Sequence, residues 1–426
     1  METAQHTASS APNLSSSAPG SGGATPYRYE VLDGLRGVAA LMVVIFHLSE
    51  AFSYDPVYKH LNHGYLCVDF FFVLSGFVIG YAYEERMRCG RMSRRDFLKA
   101  RLVRLQPMVL FGVLLGAALF YFQECNYYAG IGGASIGYLF EQILAGFCML
   151  PIPPEWNVRA NGEMFVLNIP QWSMVFEYIA NLLFCLFVFR LGRKGLLLLV
   201  GLFALMLTDS ALNLNLFGML EAHDYPCSLN AGWSLTAEQF YIALSRVGYC
   251  FFAGLLLFRL SARRPAAASA PQASRFPVFA VCSCIIVGVV CIDQIGGYEH
   301  PLYDGIFNLF CVGLLCPFTV LLGSRRVALR ERTKRTCDFL GRLSYPLYLA
   351  HYPIVYLFFT WMDNHQNTPV GMQIFVAAAT FLLSVATAYA AMRLWDEPVR
   401  AWLKGKWLRK SAAGRPSGTA FPPHRA

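Results

Sequence analysis

Two residues in the stretch LDGLRGVAALMVVIFHLSE, Leu32–Glu50, are of types that do chemistry within an otherwise apolar run: Arg36 and His47. An ionisable group inside a bilayer is costly, so such residues face a protein interior or a watery cavity and mark functional sites. Eleven helical steps of about 100° bring His47 to within about 20° of Arg36, so both lie on one helix face roughly 16 Å apart along the axis. Asp33 stands one turn before Arg36 on that helix. Snorkelling of Arg36 to the interface and a structural hydrogen bond from His47 explain either residue alone equally well. Their shared face tips the reading towards a cavity.

Three other stretches carry reactive side chains. In NIPQWSMVFEYIANLLF, Ser173 and Glu177 are four apart and share a helical face. If this span enters from the outside, Glu177 lies about 9 Å below the outer surface and His47 reaches a similar depth. A carboxylate beside a histidine orients it and stabilises its charged form, as a general base requires; the alternative is a bond from Glu177 to some other helix. In RRDFLKARLVRLQP, Arg101 and Arg104 lie one turn apart at a membrane entrance. That pair suits the phosphates of a cytoplasmic donor and suits lipid headgroups or topology signalling equally well. In GRLSYPLYLAHYPIVYLF, His351 lies between Pro346 and Pro353, whose bends free backbone groups. A kinked cavity wall and a packing kink around a satisfied histidine are equal readings there.

The elements that must position these groups are membrane helices. The chain has 426 residues, 56% hydrophobic and 14% charged, and its apolar runs approach the ~20 residues a spanning helix needs. Its 35 Lys and Arg exceed 26 Asp and Glu, but they fall between apolar runs, as positive-inside topology expects, so no nucleic-acid partner is implied. Spans are expected near 33–52, 65–83, 105–123, 172–189, 195–211, 240–258, 277–295, 305–323, 343–361 and 372–394. Ten spans with both termini cytoplasmic place the basic clusters at 86–104, 190–194, 259–275 and 325–342 inside, leaving little beyond Lys59 and Arg159 outside. Counting 136–152 as a span would invert every later loop, so it reads as an extra interfacial or re-entrant segment. The fold class is thus an all-α integral membrane protein. Residues 1–26 read as a disordered tail, 27–400 as the polytopic domain and 401–426 as a basic, largely disordered tail, with linker composition at 259–275. The thirteen cysteines form no Cys-x-x-Cys pair and no zinc spacing, so no metal site is expected; Cys125 and Cys227 both face the outside in this topology and could pair.

Taken in order, LDGLRGVAALMVVIFH, VDFFFVLSGFVIG (Val68–Gly80), FLKARLVRLQP (Phe97–Pro107), WSMVFE (Trp172–Glu177), LGRLSYPLYLAHYP (Leu340–Pro353) and WDEPVR (Trp395–Arg400) resemble the membrane acyltransferase-3 family, the O-antigen and exopolysaccharide acetylases. The resemblance runs from about residue 30 to 400. It implies a multi-pass enzyme of the bacterial inner membrane that moves an acyl group, usually acetyl from acetyl-CoA, onto a carbohydrate or glycolipid hydroxyl, with no bound cofactor and with polysaccharide-assembly machinery as a further partner. It implicates Arg36 and His47 in catalysis, Arg101 and Arg104 near the donor, and Ser173 with Glu177 in the core. A closer match to the family's WSL run stands at GWSLTAEQFYIAL, 232–244, with Glu238 as a second acid; Trp172 is preferred because it opens a long span directly after the outer loop. The tail after residue 400 is too short for the extracytoplasmic esterase-like domain of some members.

The expected mechanism docks acyl-CoA from the cytoplasm with its phosphates near Arg101, Arg104 and Arg36, and brings the thioester to His47. There the histidine deprotonates the acceptor hydroxyl while Glu177 stabilises the imidazolium, with an acyl-enzyme on His47 or Ser173 as a variant. Asp33, Ser173 and His351 are expected to line the substrate path. The rival class is a secondary transporter or lipid-linked glycan translocator, which also needs ten helices and buried ionisable groups.

Overall fold

The computed structural model describes residues 28–53, 60–220, 226–262 and 277–408. The expected N-terminal tail, most of the C-terminal tail, most of the 259–275 linker, and Lys59, Arg263, Arg264 and Arg275 of the loop count lie outside them. Among the described residues every regular element is helical, apart from one isolated bridge between Glu163 and Ser234. The helices that matter here are α1 (Glu30–Ser49), α2 (Leu66–Ile79), α3 (Arg94–Leu119), α4 (Ile136–Cys148), α5 (Gln171–Leu186), α6 (Arg193–Leu212) and α7 (Ala237–Ser261). They are followed by α8 (Val278–Val290), α9 (Pro301–Gly323), α10 (Glu331–Ala350), α11 (Tyr352–Asn364) and α12 (Val370–Ala391), which runs on through further helical turns to Trp407.

Each of the ten expected spans contains a helix, and seven helices among the described residues are long and apolar enough to cross a membrane by length and composition. Three expected spans differ in instructive ways. Helix α3 begins at Arg94 rather than near 105, because Ser93 and Asp96 form a reciprocal capping box that starts the helix in its basic turn. The span expected at 343–361 is two helices, α10 and α11, meeting at His351 with Pro353 in the first turn of the second. Helix α5 has only 16 residues, because the chain leading into it is already inside the protein: Glu163 to Asn168 are all buried.

That buried approach follows a short apolar helix in the 136–152 segment. Helix α4 has 13 residues and carries apolar side chains outward, with Ile136 80% and Phe140 66% exposed. Its C-terminal end reaches Gln106 and Gln171, which donate to the carbonyls of Phe147 and Gly146, whereas Tyr138 near its start is bonded to the Trp156 carbonyl as the chain turns back. Arg28 before α1 and Lys404 beyond α12 line the same cavity mouth, so the described chain starts and finishes at one end of the bundle.

Helix α1 is buried on most sides and packs chiefly on α10, while α2 packs on α7. The second contact is backbone on backbone: a Cβ built on Gly76 would lie 1.9 Å from the Phe251 carbonyl oxygen, and one on Gly254 would lie 2.0 Å from that of Val73. Only glycine allows that approach at either position. It brings Asp69 of α2 against Arg246 of α7 in a fully buried bidentate pair, at 2.9 and 2.7 Å, with further Arg246 hydrogen bonds to the carbonyls of Ala231 and Tyr65. Cys125 and Cys227, which could have paired, are buried free thiols. Helices α6, α9 and α12 turn Leu198, Leu314 and Phe375 outward, as lipid-facing helices do.

Breaking a buried pair strands the surviving charge and costs about 3–5 kcal/mol. Arg246→Met is therefore expected to lower the melting temperature of the purified protein markedly, and Arg246→Met/Asp69→Asn to recover part of the loss; differential scanning fluorimetry in detergent reads both.

Candidate active site

At the end of the bundle where α1 and α3 begin, a cavity of about 870 Å³ opens between α1, α2, α3, α5 and α10. Six of the eight site residues expected from sequence line it: Asp33, Arg36, Arg101, Arg104, Ser173 and Glu177. Its lining holds nine Lys or Arg side chains against three carboxylates, and its deeper wall is apolar, with Val68, Phe71, Phe72 and Met174.

Each cation is held differently. Arg36 donates from Nε to Ser344 Oγ at 2.8 Å and from Nη2 to the Gly341 carbonyl at 2.7 Å, and lies 3.7 Å from Asp33. Those bonds to α10 aim the guanidinium across the cavity rather than letting it snorkel. Arg101 Nη2 donates to Glu177 Oε1 at 2.5 Å, and Ser75 donates to the same oxygen at 3.0 Å. Arg104 has no hydrogen bond or ion pair among the described residues and only rests over the Tyr345 ring, 6.0 Å from its centroid. Arg101 and Arg104 are thus not an equivalent pair: the first is neutralised and the second is available to an anion.

His47 and His351 do not line the cavity but stand behind its apolar end. Their rings stack with centroids 5.5 Å apart and planes 24° apart, and Tyr352 packs edge-on against His47 at 4.8 Å. His47 Nδ1 lies 2.6 Å from Glu50 Oε2. A carboxylate accepts, so Nδ1 carries a proton, and Nε2 is the ring nitrogen left outside that contact. His351 Nδ1 faces the Leu347 carbonyl at 3.0 Å, which likewise puts a proton on Nδ1, and its buried Nε2 has no hydrogen-bond partner among the described residues.

The expected pairing of Glu177 with His47 is therefore incorrect; Glu50 holds the histidine and Glu177 holds Arg101. The reason lies in the fold, because α5 starts within the bundle and so carries Ser173 and Glu177 towards the basic end, below the depth of His47. Ser173 donates to the Pro170 carbonyl at 3.0 Å, leaving its oxygen to accept from the Tyr348 hydroxyl at 2.7 Å. Tyr348 and Phe71, in edge-on contact at 5.6 Å, are the wall between cavity and histidines: both line the cavity, and the Tyr348 ring lies 6.2 Å from that of His351.

Glu50, Tyr348, Arg400 and Lys404 are the residues that sequence reasoning passed over. Glu50 had a signal, since a residue three past His47 shares its helix face. Glu238, the second acid considered, lies away from the cavity at the start of α7. Its segment serves the fold instead, since the Trp233 carbonyl accepts from the Met164 amide and Ser234 bridges Glu163, holding the buried approach to α5.

These helices enclose a basic cavity with a carboxylate-held histidine behind its apolar end, and comparison with known proteins gives the family. The chain matches the acyltransferase domain family over residues 29–389 and belongs to it. It is 34% identical to "Protein 2 in picA locus" of Rhizobium radiobacter, over 44% of this chain and 96% of that protein. It is 23% identical to O-acetyltransferase OatA of Staphylococcus aureus, over 87% of this chain and 57% of OatA. The putative peptidoglycan O-acetyltransferase YrhL of Bacillus subtilis is 26% identical over 76% of this chain and 48% of its own length. The chain thus spans about half the length of these two acetyltransferase relatives. No solved structure matches it.

The Arg101–Glu177 contact makes a pairwise prediction. Arg101→Gln and Glu177→Gln should each lower thermal stability, and the double variant should lose less than the sum of the two, with a coupling of roughly 0.5–3 kcal/mol in a denaturation cycle.

Proposed function

We propose that this protein is an O-acyltransferase of the bacterial cytoplasmic membrane that moves an acyl group, acetyl by default, from acyl-CoA to a hydroxyl of an exported or cell-surface carbohydrate. The observation that carries the reading is the excess of cations in a cavity with an apolar wall, where Arg104 makes no hydrogen bond or ion pair among the described residues. Arginines crowded at a membrane entrance repel one another unless an anion shares the space. A donor with a phosphate-rich head and a thin, largely uncharged arm matches such a cavity. The O-acetyltransferase OatA supports acetyl as the group, the putative peptidoglycan O-acetyltransferase YrhL supports a glycan as the acceptor, and family membership favours transfer over translocation.

In this reading the donor threads in from the basic end, its phosphates meet Arg36 and Arg104, and its thioester comes to rest at Phe71 and Tyr348. The side chain of Tyr348 swings away from Ser173 to let the thioester reach His47. An acceptor hydroxyl, arriving from the opposite side, gives its proton to His47 Nε2 as its oxygen attacks the thioester carbonyl. A C–O bond forms and the C–S bond breaks. The imidazolium returns the proton to the departing thiolate, so ester and free thiol leave and the histidine is restored. Glu50, through Nδ1, orients the ring and offsets its charge while the proton resides there. Direct transfer is favoured over an acyl-serine, because the Ser173 proton is committed to a backbone carbonyl and its hydroxyl touches no base.

Purified His47→Ala protein is expected to lose acetyl transfer by a factor of roughly 10² or more. Glu50→Gln is expected to lower kcat by about tenfold or more with little change in donor KM, since it acts on the histidine in the transition state. Transfer from acetyl-CoA to a soluble glycan, followed by mass spectrometry, measures both; a wild-type rate in His47→Ala would overturn the assignment.

A further inference from the structure

Two of the cations at the cavity come from outside the matched family domain, which ends at residue 389. Beyond Ala391 the last helix continues through Asp396 to Trp407 and folds against α3. Trp395 Nε1 pins it there by donating to the Pro107 carbonyl at 2.8 Å, one turn from Arg104. This brings Arg400 and Lys404 to the cavity lining. Arg400 Nη2 lies 2.9 Å from Asp396 Oδ2, but its buried Nε has no hydrogen-bond partner among the described residues. Lys404, one turn further and exposed, has no hydrogen bond or ion pair among the described residues. Arg36, Arg104, Arg400 and Lys404 therefore line one cavity, and of the four only Lys404 is exposed.

The order of groups along acyl-CoA is fixed by its covalent structure. The thioester is at one end, the diphosphate is in the middle, and the ribose 3′-phosphate is at the far end beside the adenine. If the thioester sits at Phe71 and Tyr348 and the diphosphate at Arg36 and Arg104, the 3′-phosphate falls at the mouth. We infer that Arg400 and Lys404 clamp the 3′-phosphate of the donor, so that the C-terminal helix selects acyl-CoA over thioester donors without that phosphate. A dianionic monoester facing one guanidinium and one ammonium gains charge-assisted hydrogen bonds that a plain ribose hydroxyl does not. The inference rests on the acyl-CoA reading above and adds to it which phosphate is read, and by which residues.

The test compares acetyl-CoA with 3′-dephospho-acetyl-CoA as donors for the full-length protein in detergent. Wild-type protein should show a KM about tenfold or more higher for the dephospho donor, the size expected for losing charge-assisted bonds. In Arg400→Gln/Lys404→Gln the KM for acetyl-CoA should rise until the two donors differ by about twofold or less. A merely structural role would raise both KM values in parallel and leave their ratio intact. Lys404→Glu, at an exposed position, should narrow the ratio too and serves if the double variant does not fold. A wild-type ratio near one overturns the clamp while leaving the acyl-CoA reading standing. A ratio untouched by both variants also overturns it, and if those variants instead lose a response to added anionic lipid, the two cations serve a headgroup phosphate. Absence of transfer from either donor overturns the acyl-CoA reading and the clamp with it.

Discussion

An arginine inside a membrane bundle must meet a carboxylate or other acceptors, or else border water, and this protein distributes its buried arginines along that scale. Arg246 is sealed, with a bidentate carboxylate and two carbonyls. Arg159 is sealed by a different chemistry, bonded to the Gln123 amide oxygen and the Val166 carbonyl and covered by the rings of Tyr356, Tyr128 and Phe120. Arg101 stands at the edge of the cavity against Glu177, and Arg36 is aimed into it by α10. Among the described residues Arg104 has no paired counter-charge. The uncompensated positive charge is thereby concentrated in one cavity, and the proposed chemistry follows from what such a cavity attracts.

The second organising feature is the buried segment that precedes α5. Because Glu163 to Asn168 descend into the bundle before the helix begins, Ser173 sits where it can accept from Tyr348, and Glu177 sits where it can hold Arg101. The same arrangement separates the basic cavity from the histidine pair by one aromatic wall. In the proposed reaction that wall keeps a thioester in the cavity from the base, and from water on the other side, until Tyr348 swings away. The break between α10 and α11 at His351 puts the wall and the second histidine on one short stretch of chain, so movement of Tyr348 is felt at the stacked rings.

Much of this is legible in the residues. Apolar runs mark the positions of the helices, and 136–152, set apart from the spans by the placement of Lys and Arg, holds a helix of only 13 residues. Helical periodicity puts Arg36 on the cavity face, because a straight helix such as α1 converts spacing into direction without further information. The partners of His47 and Glu177 are not recoverable in the same way. Depth along the sequence is counted from an assumed entry at the surface, and an irregular segment that buries itself carries no periodic signal. The near partner of His47, Glu50, is three residues away and visible. It escapes notice because an acid at the end of a span reads as an interface residue. Arg400 and Lys404 read as the end of the domain and as part of a tail, and only the continued helix and the Trp395 bond return them to the site.

The central claim is that a donor entering at the basic end delivers its acyl group past Tyr348 to the histidine held by Glu50. A cryo-electron microscopy map of the protein with a non-hydrolysable thioether analogue of acetyl-CoA tests it most directly. The account predicts density filling the cavity, phosphates at Arg36 and Arg104, the Tyr348–Ser173 contact opened, and the carbonyl of the analogue within reach of His47 Nε2. Density elsewhere on the protein, or a bound analogue whose carbonyl stops on the cavity side of an unmoved Tyr348, would contradict it.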